Sequence, residues 1–194
     1  MSTLSYYSTN AVEFSQGTVS VDFTTTQERF LKYLKPGATV LDFGCGSGRD
    51  AKCFAERGYK VTATDGCAEL VAMASEYSGL LVKQLLFSEL ADVETYDGIW
   101  ACASILHLPK LELIDVLQKI SVALKQDGYL YTSFKYGDFE GDRHGRYFTD
   151  MTENSFGELL KQVPSLMVVE EWVSGDVREG RGDERWLNLI LKKE

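Results

Sequence analysis

The stretch TVLDFGCGSGRD, Thr39 to Asp50, sets a branched and aromatic apolar run ahead of three glycines at alternate positions, Gly44, Gly46 and Gly48. The apolar run has the composition of a buried strand, and the glycines allow the following loop to approach a bound molecule closely. Three kinds of ligand compete for such a loop: a dinucleotide, a nucleotide phosphate, or a molecule without phosphate.

A phosphate loop requires Lys and then Ser or Thr after its last glycine, whereas Gly48 is followed by Arg49 and Asp50. A dinucleotide loop requires glycines at relative positions 1, 3 and 6, and position 6 is Arg49. Asp50 also puts a carboxylate into the first helical turn, where a pyrophosphate would sit. Both phosphate readings are disfavoured. Asp42, ahead of the first glycine, can attract positive charge. Asp65 ends the next apolar run and can accept hydrogen bonds from both ribose hydroxyls. Dinucleotide enzymes use the same device, so Asp65 alone does not separate the classes.

Outward from this loop, helical and strand-like periodicities alternate. Thr26 to Leu34 is helical and stops at Pro36–Gly37. A helix from about Gly48 to Arg57 keeps Ala51, Phe54 and Ala55 on one face. KVTAT is a second strand, and Leu70, Met73, Ala74 and Tyr77 have the spacing of a second amphipathic helix. LLVKQL and YDGIWACA are strands, LPKLELIDVLQKISVALK is a helix, GYLYTSFK is a strand, and Phe156, Leu159, Leu160 and Val163 mark another helix. LMVVEEWVSGDV and RWLNLILKK close the chain as two strands with no helix between them, which predicts an antiparallel last strand. The pattern is that of a three-layer α/β sandwich on a mostly parallel sheet. In such sheets ligands bind at the carboxyl ends of the strands, where DFGCGSG, ATDG and WACAS converge.

The 194 residues suit a single domain over 1–194, with a helical arm or lid in 1–35 and a Rossmann-like core in 36–194. Apolar residues at 44% and charged residues at 25% are ordinary for a soluble globular chain. No apolar run is long enough for a membrane span, and MSTLSYYSTN lacks the pattern of a secretion signal. Cys45, Cys53, Cys67 and Cys102 form no CxxC pair and no zinc-ligand spacing, so no metal is expected and the thiols read as reduced in a cytoplasmic protein. A formal charge of −9, from 20 basic and 29 acidic residues, disfavours a nucleic-acid partner. Oligomeric state is not written in the sequence.

VLDFGCGSG, VTATDG and YDGIWACASILHLP, in this order and spacing, resemble the motifs of class I S-adenosylmethionine-dependent methyltransferases. GCGSGRDA, WACASILH, YTSFK, GRYFTD and RWLNLI resemble a small bacterial group within it, the tellurite-resistance-like methyltransferases. The resemblance implies a seven-stranded sheet with its last strand antiparallel, and S-adenosylmethionine as cofactor. It implies that Asp42, Gly44 and Gly46 line the methionine end, with Arg49 beside them and Ala101 beneath. Asp65 then holds the ribose, and Gly66 and Cys67 flank the adenosine. Many relatives carry an acidic residue after the third strand to meet the adenine amino group. This chain has Leu86 there, leaving Phe87 to pack on adenine and Ser88 to offer a hydroxyl.

Methyl transfer is an in-line displacement at a carbon already activated by the sulfonium, so alignment dominates and a base is needed only for a protonated nucleophile. His107, just after the fourth strand, is the candidate base or substrate contact; capping the next helix or packing under the loop is the alternative role. His144, in GDRHGR, is expected to be solvated. Ser104, Lys135, Arg146, Tyr147, Arg178, Arg181 and Trp186 form a candidate acceptor wall, since forked guanidinium groups suit oxyanions. GDVREGRGDER mixes both signs, so a plain charged loop is the competing account. Trp100 is expected near the site as a fluorescent reporter. In related enzymes the N-terminal arm closes over the cofactor, and Tyr6 is the expected contact; an amphipathic helix docked through Ala11 and Phe14 is the simpler account. The sequence thus points to methylation of a small, anionic molecule. The alternatives are a protein or RNA methyltransferase, and a non-catalytic module that binds the cofactor or its product.

Overall fold

Apolar side chains alternate along the central strands, and this period-two pattern divides the core into two faces. The computed structural model describes residues 2–178, 180–181 and 183–194. The chain begins with helices α1 (Thr3–Thr18) and α2 (Thr24–Leu31), then alternates β1 (Thr39–Phe43), α3 (Arg49–Glu56), β2 (Lys60–Asp65), α4 (Ala68–Ser78), β3 (Val82–Gln84), β4 (Tyr96–Ala101), α5 (Lys110–Ala123) and β5 (Leu124–Lys135). A small hairpin of β6 (Glu140–Arg143) and β7 (Arg146–Thr149) precedes α6 (Glu153–Leu160), β8 (Leu166–Gly175) and β9 (Arg185–Lys193).

The seven-stranded sheet has the order β3-β2-β1-β4-β5-β9-β8. β1 to β5 are parallel, while β9 runs antiparallel to both β5 and β8. This is the three-layer architecture with an antiparallel last strand that the sequence implies. Leu41, Phe43, Ile99, Leu130, Leu189 and Leu191 point to one face, where Leu113, Leu117 and Ile120 of α5 and Phe156 of α6 cover them. Val40, Trp100, Tyr131 and Ile190 point to the other, under Phe30 of α2 and Phe54 of α3. No described helix is long and apolar enough to cross a membrane.

Several boundaries differ from the sequence reading. The helix expected over Thr26–Leu34 is α2, ending at Leu31. LLVKQL contracts to a three-residue edge strand, with Leu81 83% exposed. The polar N-terminal arm is a 16-residue helix, capped where Ser5 N–H donates to Ser2 Oγ at 3.2 Å. Docking holds it, since Ala11, Phe14 and Tyr7 pack with Cys67 and Leu70 of the α4 region. The β6–β7 hairpin is absent from the sequence reading. Its register pairs Arg143 with Arg146, leaving His144 and Gly145 as a two-residue turn at φ 52° and 78°. Positive φ at both turn residues matches the twist of a tight hairpin. His144 is therefore a turn residue.

Candidate active site

β1 has β2 on one side and β4 on the other, so strand order reverses between β1 and β4 and a crevice opens at their carboxyl ends. The β1 loop turns there through Gly44 and Gly46, at φ 82° and 55°. A Cβ on Gly44 would lie 2.6 Å from Ser104 Cβ, so only glycine lets the loops after β1 and β4 approach this closely. A Cβ on Gly48 would lie 3.1 Å from Ala74 of α4. That glycine packs the loop against the neighbouring helix. The Gly46 amide donates to Asp65 Oδ2 at 2.9 Å, tying the loop to the end of β2.

Above these loops lies a cavity of about 500 Å³. Asp42 and Asp65 face it from the ends of β1 and β2. Asp42 is 2% exposed, and its Oδ2 has no hydrogen-bond partner. Burial, and secondarily the charge of Asp50, holds its carboxyl well above the usual range. A buried carboxyl oxygen with an unused lone pair, beside a loop with no room for side chains, suits a cationic group, whose charge favours the ionised form that burial opposes. Asp65 accepts from the amides of Gly46 and Cys67, each at 2.9 Å, and keeps lone pairs for hydroxyl donors. Burial raises its carboxyl, against those amides, which lower it.

Gly44, Gly46, Arg49, Gly66, Phe87 and Ser88 also line the cavity. Arg49 reaches it while forking onto Asp50, Nε to Oδ1 and Nη2 to Oδ2 at 2.8 Å each. Asp50 also accepts from Trp100 Nε1 at 2.9 Å and Gln27 Nε2 at 2.7 Å. Asp50 thus anchors α2, α3 and β4 together. Of the remaining expected cofactor contacts, Ala101 is fully buried beneath the site, and Cys102 and Ala103 line the cavity instead. Cys67 lies off the wall, with its thiol on the Glu69 carboxylate. Tyr6 also lies off it, stacked under Arg146; one position along α1, Tyr7 faces the interior. Trp100 is buried against Tyr131, and Trp186 is the tryptophan at the cavity.

His107 lies at the mouth, between α1 and the β6–β7 hairpin. Its Nδ1 is 2.6 Å from the Tyr147 carbonyl oxygen, which can only accept, so Nδ1 carries the proton. Nε2 then accepts from the Tyr7 hydroxyl at 2.8 Å. Burial, reinforced by the nearby charges of Arg146 and Lys135, brings the imidazole down to about 4, and burial raises the Tyr7 phenol. The pair therefore rests as neutral phenol and neutral imidazole. The Tyr147 side chain turns away from the cavity, toward Glu140 at 3.3 Å.

The structure brings Ser104, Lys135, Arg146, Arg178, Arg181 and Trp186 to the cavity wall. Three of these cations meet carboxylates there. Lys135 bonds Glu184, and Arg181 lies 3.7 Å from the same carboxylate. Arg178 forks onto Asp176 at 2.9 and 2.5 Å, and Trp186 Nε1 donates to Asp176 at 3.1 Å. The Asp176 carboxyl is held at about 2 by hydrogen bonds and charge from Arg178, against the opposing effect of burial. Tyr7, Ser133, Phe148, Asp176 and Asn188 also line the cavity and were not singled out in the sequence, and Phe14, expected only as a docking residue, lines it too. Phe148 lies inside GRYFTD, so its motif was visible. Asn188 is positioned by the pairing of β9 with β5 and β8, which leaves no local signal, and Asp176 follows directly on the end of β8.

Residues 21–170 match a family model described as a methyltransferase domain. No curated protein sequence matches the chain. Among solved structures, the chain is similar to 1,6-didemethyltoxoflavin-N1-methyltransferase from Burkholderia thailandensis, whose structure holds 1,6-didemethyltoxoflavin and S-adenosylhomocysteine. That similarity has a TM-score of 0.78 and 23% identity, over 98% of this chain and 86% of that one. Magnesium protoporphyrin IX methyltransferase from Synechocystis PCC 6803, with bound S-adenosylhomocysteine, is similar at TM-score 0.73 and 16% identity, over 98% and 97%. A TehB-like S-adenosylmethionine-dependent methyltransferase from Corynebacterium glutamicum is similar at TM-score 0.72 and 18% identity, over 98% and 100%.

Proposed function

This chain belongs to the methyltransferase domain family, and on that premise we propose that it transfers the methyl group of S-adenosylmethionine to a small anionic molecule. The observation that carries the reading is the partnerless, buried Oδ2 of Asp42 beside the glycine loop. Cation and sulfonium chemistry suits that position, and phosphate chemistry does not. Asp65, one strand over, supplies lone pairs for a ribose diol. When bound, S-adenosylmethionine supplies a methyl carbon activated by its sulfonium.

The chain's own residues bind, orient and exclude water. Gly44 and Gly46 leave space for the methionine portion, and Phe87 offers an apolar face near the adenosine. α1 lies across the mouth: a Cβ on Gly46 would lie 3.0 Å from the Phe14 ring, and one on Gly66 would lie 3.0 Å from Leu4. Such a cover keeps water from a displacement that depends on alignment. His107 is a weak base whose Nε2 is already occupied by Tyr7, so the nucleophile arrives with its lone pair free. A deprotonated acceptor at a basic wall fits that requirement.

Similarity to the TehB-like structure and to two small-molecule methyltransferases supports membership of the tellurite-resistance-like group and a small acceptor. The test is incubation with S-adenosylmethionine and a panel of carboxylates, phenolates, thiolates and inorganic oxyanions, each beside a neutral counterpart, with S-adenosylhomocysteine measured as product. Turnover with an anionic member and not its neutral partner is the expected result. Turnover confined to protein or RNA would refute the small-acceptor reading.

A further inference from the structure

Besides Arg49, which pairs with Asp50, the cations Lys119, Lys135, Arg146, Arg178 and Arg181 line the cavity, and a buried donor with no partner distinguishes Arg146. Lys135, Arg178 and Arg181 meet Glu184 or Asp176. On the β6–β7 hairpin, Arg143 forks onto Asp150 at 3.1 and 2.8 Å. Arg146, its partner in register, makes no ion pair among the described residues. Its Nε is buried with no hydrogen-bond partner, and its side-chain hydrogen bond among the described residues is a long one, Nη1 to the Tyr7 hydroxyl at 3.5 Å. A guanidinium has five N–H donors, so most of its capacity is unused. Its plane is held by aromatic rings, with centroids at 4.5 Å for Tyr6, 5.1 Å for Phe148 and 5.8 Å for Tyr7.

A partly buried cation without a counter-anion is costly, and it is retained where an arriving anion supplies the missing charge. The tight turn at His144–Gly145 sets Arg146 at the start of β7, and Phe148 follows two residues on, both on the cavity wall. Tyr7 and Phe148 pack against the guanidinium itself, with the His107 ring 5.6 and 4.8 Å from theirs, so these rings position Arg146 on the cavity wall. We propose that Arg146 is the anion-binding residue of the acceptor site, and that the acceptor class is a carboxylate that pairs with its guanidinium. This rests on the acceptor-site reading of the cavity. It departs from an acceptor wall in which all the basic residues share the anion, because Lys135, Arg178 and Arg181 already have carboxylate partners.

The test uses benzoate and its neutral isostere benzamide as probes, titrated into the full chain by ligand-observed NMR, with and without saturating S-adenosylhomocysteine. Benzoate should bind at least about tenfold more tightly than benzamide, and Arg146→Gln should erase that difference. Arg146→Lys, which keeps the charge and loses the fork, should retain part of the preference, and so carries the test if the Gln variant does not fold. Lys161→Gln, an equal charge loss at an exposed side chain just past the end of α6, should leave the preference intact. Equal binding of the two probes by the unmodified chain would overturn the proposal, as would a benzoate preference that survives in Arg146→Gln. Failure to bind S-adenosylhomocysteine would refute the cofactor reading separately, while the probe comparison without it still tests Arg146.

Discussion

The Tyr7 hydroxyl donates to His107 Nε2 at 2.8 Å, across 100 residues of sequence, and joins the N-terminal helix to the end of β4. The Tyr147 carbonyl fixes the imidazole tautomer that makes this acceptance possible. Through His107, these two hydrogen bonds link α1, the loop after β4 and the β6–β7 hairpin over a single cavity. Tyr7→Phe removes the donor and leaves a buried imidazole nitrogen unpaired. The loss is about 1 kcal/mol, which predicts roughly fivefold weaker S-adenosylhomocysteine binding, expressed as faster dissociation. Stopped-flow displacement, followed by Trp186 fluorescence, measures it. An unchanged dissociation rate would mean that α1 does not cover the ligand.

The same imidazole gives the protein a pH signature. His107 lies at about 4 in the folded state, below the ordinary value near 6.5 that the unfolded chain has. A depressed folded value means that the unfolded state takes up the proton first. The contribution to stability is complete above pH 6.5 and is lost as pH falls toward 4. Between pH 7.5 and pH 5.0 the loss is about 2 kcal/mol. His107→Gln keeps both hydrogen-bonding roles without the charge, so its stability should fall less over that interval by about this amount. Parallel denaturant titrations of the two proteins at both pH values decide the matter.

Two glycines should respond in opposite directions to the same substitution. Gly44→Ala brings a Cβ to 2.6 Å from Ser104 at φ 82°, and should cost about 1–3 kcal/mol along with ligand affinity. Gly17 lies in α1 with nothing within 4 Å of an added Cβ. Gly17→Ala should stabilise by about 0.5–1 kcal/mol. Thermal unfolding of both variants reads the difference in sign.

Asp42→Asn separates binding from folding. Replacing a buried carboxyl that lacks a partner on one oxygen should leave the free protein at least as stable, while S-adenosylhomocysteine affinity drops by about tenfold or more. If the variant instead loses stability and keeps its affinity, Asp42 is a structural residue.

The fold was legible because strand alternation and helical spacing agreed along the chain, and RWLNLILKK matches β9 residue for residue. The placement of Asp42, Asp65, Gly44 and Gly46 at the cavity was legible because strand ends set it locally. Tyr7 was missed by one residue. The arm's aromatics carry no strong periodicity, and only docking on Cys67 and Leu70 sets which of them turns inward. The β6–β7 hairpin was missed because EGDRHGRY has the composition of a solvated loop; its clue was His144–Gly145, a pair able to adopt positive φ. The pairing of Lys135 with Glu184 joins the end of β5 to the loop before β9, which no local pattern encodes, whereas Arg178 pairs with Asp176 two residues away within GDVR.

The most direct measurement is a calorimetric titration of the full chain with S-adenosylhomocysteine, run beside NAD. Micromolar binding of S-adenosylhomocysteine at one site per chain, with none for NAD, is the predicted result. Binding of NAD instead, or of neither, would contradict the assignment of the Asp42 and glycine-loop crevice to S-adenosylmethionine.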